Sequence, residues 1–96
     1  MTVNQFMSDH ISDIREIINQ MEKPFDSHDF IKKFSKKFQV EYVELLSQYS
    51  QDPFENVHKQ IGKFLSEKDK LLGIQSAGRE PSDNIFGEKS DNEIWH

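Results

Sequence analysis

Four side chains in one short stretch, Asn56, Lys59, Gln60 and Lys63, are of the types that hydrogen-bond base edges and neutralise phosphates. Their spacing turns them to one side of a helix whose other side carries Phe54, Val57, Ile61, Phe64 and Leu65. Such a face suits nucleic acid. It is also the composition of an ordinary solvated helix surface, and Glu55 and Glu67 dilute its charge. Asp9, His10 and Asp13 lie close enough on one helix to share a metal, but His10 falls within an apolar stripe while the two acids sit at its edge. A packed histidine is therefore expected there, not a ligand. His28 lies between Asp26 and Asp29, where local hydrogen bonding accounts for it, and His58 flanks an apolar face with no partner evident in the sequence. There is no Gly-rich phosphate loop, no Gly-x-Ser-x-Gly and no His-Glu-x-x-His. With no cysteine, thiolate metal sites, cysteine nucleophiles and disulfide frameworks are excluded. The expectation is a protein without a catalytic site, metal or other cofactor.

The elements that must position these residues read mainly as helices. Val3, Phe6, Met7, His10, Ile11, Ile14, Ile17, Ile18 and Met21 recur at helical steps and predict one amphipathic helix. Thr2 with Gln5 is its capping signal, and Lys23-Pro24 ends it. Its apolar stripe must be covered, either by Phe30, Phe34, Leu46 and Phe64 of the same chain or by a second copy in a homodimer. A second start signal follows, with Asp26 as cap, Asp29 three residues on, and Phe25 and Phe30 placed as a hydrophobic staple. Phe30, Ile31, Phe34 and Phe38 form the inner face of that helix, with Lys32 and Lys36 opposite. The pattern continues through Tyr42, Leu45, Leu46 and Tyr49, with a break expected near Gln39 or Val40, where β-branched Val40 and Val43 lower helix propensity. Asp52, Pro53 and Glu55 then mark the start of the Asn56–Lys63 helix. Gly62 inside it weakens a helix by roughly 1 kcal/mol against alanine, so either another backbone passes close there or the position tolerates the loss.

From Leu71 onward, turn residues alternate with short apolar runs. They predict a strand near 72–76, a loop over 78–83 and a second strand near 84–86, with residues 90–95 either continuing that strand or starting a short helix. Ser-Asp-Asn occurs twice here, as Ser82-Asp83-Asn84 and Ser90-Asp91-Asn92, too short and too few to count as a structural repeat. At 96 residues and 34% hydrophobic content the chain has room for one small domain: an N-terminal helix over 1–23, a helical core over 24–70 and a hairpin or tail over 71–96. No apolar run approaches the length of a bilayer span, and charges throughout residues 1–24 leave no signal-peptide stretch, which predicts a cytoplasmic protein without membrane contact.

Helix, short turn, well-capped helix and then a hairpin with Gly78 and Arg79 in its loop resembles the winged-helix superfamily across residues 28 to about 95. The resemblance implies a mainly α fold, a helix-turn-helix-like bundle of three to four helices with a C-terminal β-hairpin as wing. It implies that the helix from Pro53 to Ser66 reads double-stranded DNA through Asn56, Lys59, Gln60 and Lys63, with Arg79 reaching from the wing and Lys32 and Lys36 in support. Net charge departs from that pattern: it is −5, and the expected wing carries Glu80, Asp83 and Glu88. The competing expectation is an acidic protein-interaction module or inhibitor. It would engage a basic partner through its acidic ends, Asp9, Asp13 and Glu16 of the first helix and Glu88, Asp91 and Glu93 near the C-terminus.

Overall fold

Thr2 begins the fold by accepting a hydrogen bond from the Gln5 amide at 3.0 Å, which caps α1 (Val3–Asp9) in a computed structural model that describes residues 1–96. The expected single N-terminal helix is divided. At His10 the backbone turns to φ −118°, ψ 33°, and α2 (Ile11–Gln20) follows. The His10 ring donates through Nδ1 to the Phe6 carbonyl at 2.8 Å, sharing that acceptor with its own backbone N–H, and this insertion into the helical ladder accounts for the bend. The imidazole stacks on Phe6 at 4.2 Å and meets the edge of Phe38. Val3, Phe6, Met7, Ile14, Ile17 and Ile18 are all buried within the chain, so the protein's own core covers the apolar stripe.

Residues 25–26 form a two-residue strand, β1 (Phe25–Asp26), which sequence periodicity gave no sign of. Asp26 also caps α3 (Ser27–Lys37) through a complete capping box with Asp29, and Phe25 and Phe30 are buried as the staple requires. The chain breaks at Phe38 and resumes as α4 (Gln39–Ser47), beside the expected break point. The turn carries Phe38 against Phe6 and Phe34, leaving Val40 and Val43 in solvent. Next come α5 (Pro53–Glu67) and a single helical turn, α6 (Asp69–Leu72). Asp52 occupies the N-cap position of α5 with a left-handed backbone, φ 47°, and its carboxylate makes no capping bond. The first turn is instead secured by Asn56, whose amide donates to the Gln51 and Asp52 carbonyls at 3.0 Å each.

The C-terminal segment is a hairpin, but shifted from its expected place. Its strands are β2 (Ser76–Asp83) and β3 (Lys89–Trp95), so residues 78–83 lie in a strand, residues 84–86 lie in the turn, and residues 90–95 are strand and not helix. Two local devices explain the shift. Gly78, at φ 110°, absorbs a register irregularity between Ser76 and Arg79, so the strand runs through the glycine. The reversal falls on Asn84, whose side chain accepts from the Phe86 and Glu88 amides, with Gly87 at φ 75°. β3 pairs antiparallel with β2 on one edge and with β1 on the other, in the order β1-β3-β2. The fold is thus a mainly helical bundle closed by a C-terminal hairpin, and Trp95 joins its core.

Candidate binding groove

Along α5, Val57, Ile61, Phe64 and Leu65 enter the core while Glu55, Lys59 and Lys63 face outward. The hairpin does not lie flat against this outward face. It is held at the first turn of α3 by directional bonds: the His28 amide donates to Asn92 Oδ1 at 2.8 Å, and the Asn92 amide donates to the Glu80 carbonyl and to Ser82 Oγ. The two ring nitrogens of His28 meet Ser82 Oγ at 2.9 Å and Ser90 Oγ at 3.3 Å, and these serines are a cross-strand pair. Trp95 Nε1 donates to Ser27 Oγ below them. At the far end, Phe86 of the turn meets the edge of Phe54 at the start of α5, 4.9 Å between ring centres. Held at both ends, hairpin and helix enclose an open groove of about 860 Å³.

The two walls carry opposite charge. From α5 come Lys59 and Lys63, both exposed and neither in an ion pair, with Glu55 near the mouth. From the hairpin come Glu88, Asp91 and Glu93, with Arg79 as the cation on that wall. Glu93 is partly compensated, since Arg79 lies 3.4 Å from it and Ser76 donates to it at 2.6 Å. His58 also lines the groove, and its Nε2 is hydrogen-bonded with the Tyr42 hydroxyl. Burial holds His58 down to about 4, with the charge of His28 adding to the effect, and burial pushes Tyr42 up to about 12, so both are neutral across the ordinary pH range.

Of the side chains the sequence pointed to, Lys59 and Lys63 stand where expected. Asn56 and Gln60 are committed within the fold, the first to the α5 start and the second to the Tyr49 hydroxyl. Arg79 is not in the hairpin loop; it lies inside β2 opposite Glu93, because the turn forms at Asn84. Lys32 and Lys36, on α3, line no part of the groove. On the opposite side of the sign ledger, Asp13 and Glu16 face Lys37 at 4.0 and 3.7 Å, while Asp9 is exposed and in no ion pair. The residues that shape the groove but went unrecognised are His28, Ser82, Ser90 and Asn92. The doubled Ser-Asp-Asn was their signal, since the turn at Asn84 brings the two serines face to face.

No helix is long and apolar enough to cross a membrane. Comparison with protein-family models, with curated proteins and with solved structures finds no match to this chain.

Proposed function

We propose that this chain is a non-enzymatic, winged-helix-like interaction module of the cytoplasm that takes a segment of a protein partner into the groove between α5 and the hairpin. The order of helices, short strand, helices and hairpin, with β1 added beside β3, supports the winged-helix likeness. The observation that carries the protein reading is the opposite charge of the two walls, Lys59 and Lys63 against Glu88 and Asp91, with Phe54 and Phe86 as an aromatic end. A mixed-charge polypeptide complements both walls. Duplex DNA presents one sign along its whole length and would set phosphates against Glu55, Glu88 and Asp91.

A second reading, duplex DNA on α5, is favoured by the exposure and lack of ion pairing of Lys59 and Lys63. Asn56, Gln60 and Arg79 would have to leave present partners to join it.

Displayed-peptide selection against the folded chain, alongside anisotropy titration with a fluorescent DNA duplex at low ionic strength, separates the two. The protein reading expects selected peptides that carry both acidic and basic residues, lose affinity for an E88K/D91K double variant, and bind where duplex does not. Salt-sensitive duplex binding that K59E/K63E abolishes, with no peptides selected, overturns it in favour of DNA.

A further inference from the structure

Gly62 lies in the middle of α5 and lines the groove, and nothing inside the fold asks for glycine there. Its backbone is ordinary right-handed helix, and a Cβ built on it meets no atom within 4 Å beyond its chain neighbours and the adjoining backbone of α5 itself. Neither conformation nor internal packing therefore explains a residue that weakens the helix. The space its side chain would fill opens into the groove, flanked by Lys59 and Lys63 and followed one turn later by Ser66. The result is a notch in the α5 wall between its two free cations.

We infer that an extended segment of the partner crosses α5 at Gly62, with its main chain against the bare Cα. This rests on the protein reading of the groove. A helix lodged in the groove would present one continuous stripe of side chains to both walls. An extended chain brings its backbone into van der Waals reach, and its side chains point alternately to opposite sides. The groove repeats that alternation in its charges. One set of side chains meets Lys59 and Lys63, and the next set meets Glu88 and Asp91. The matching ligand is a segment with acidic and basic residues alternating, a small residue where it crosses Gly62, and an apolar residue at the Phe54–Phe86 end.

The probes are two synthetic peptides of identical composition, each with a terminal Leu and a central Gly. In one, Glu and Lys alternate; in the other they are grouped in blocks. The alternating peptide should bind at least about tenfold more tightly by calorimetry. Gly62→Ala should raise the melting temperature while weakening that peptide, and Gly62→Leu should abolish its binding. Equal affinity for the two peptides overturns the inference, as does unchanged binding by both Gly62 variants. In the latter case the groove reading stands and the crossing at Gly62 falls. Should Gly62→Leu fail to fold, Gly62→Ala, whose added methyl meets no atom beyond the adjoining backbone of α5, still decides. Failure of both peptides, accompanied by duplex DNA binding, removes the protein reading itself.

Discussion

The two ends of helix α3 are held in two different ways. Toward its C-terminus, Phe34 sits at the centre of an aromatic cluster, with Phe30, Phe38, Phe6 and Tyr42 between 5.3 and 6.4 Å from it. That cluster is apolar, tolerant of direction and shared among α1, α3 and α4. At its N-terminus the same helix grips the hairpin through named donors and acceptors, the His28 amide and ring and the Asn92, Ser82 and Ser90 side chains. The difference separates stability from geometry. Aromatic packing decides whether the bundle exists, and the polar seam decides where the hairpin stands and so how wide the groove is.

The largest expected effect comes from emptying the cluster. Phe34 is fully buried, and Phe34→Ala should cost about 3–5 kcal/mol, a loss shared by probes of α1, α3 and α4, whose side chains meet in the cluster. A local loss confined to α3 would break the comparison. Asn92→Ala acts on the other end. It leaves the part-buried His28 amide without its acceptor and should cost about 1 kcal/mol or somewhat more. Hydrogen exchange should then quicken in β2 and β3 well before α5, since the seam is local; uniform quickening would show that hairpin and bundle unfold as one.

His58 sharpens the contrast through pH. In the unfolded chain it takes up a proton near the ordinary value of 6.5, whereas in the fold it stays neutral down to about 4. Between those values the unfolded state holds more protons, so stability should fall as pH drops from about 6.5 to about 4 and level off below. Partial solvent access makes the change modest. Denaturant midpoints of His58→Gln, compared with wild type across that window, should lose this component, and parallel profiles would show that His58 does not supply it. The smallest effect is expected at Lys37, whose contacts with Asp13 and Glu16 are exposed. Lys37→Ala should change stability by about 0–1 kcal/mol, less at high salt.

The same contrast explains what could be read in advance. Apolar periodicity exposed the inward faces of α1, α2, α3 and α5, because burial is written residue by residue in the pattern. Where one side chain bends a helix, as His10 does by bonding to Phe6, the stripe continues unbroken and periodicity misses the joint. The hairpin was harder. Its strands are polar and largely exposed, so no alternation marks them, and their register rests on Asn84 and on a bulge at Gly78. The lysines of α5 were visible because they lie outward on a well-marked helix. The acidic wall facing them was visible only as composition, since its position depends on the turn. His28 and His58 found their partners across the chain, in Ser82, Ser90 and Tyr42, which sequence proximity does not reveal.

Trp95 packs under Ser27, 68 positions away, and β3 is the strand that joins β1 to β2, so the sheet ties residues 94–95 to residues 25–27. The bundle is joined across a long separation too, since α1 packs against α5, and the sheet shares that requirement. Closing it spends the entropy of a very long loop.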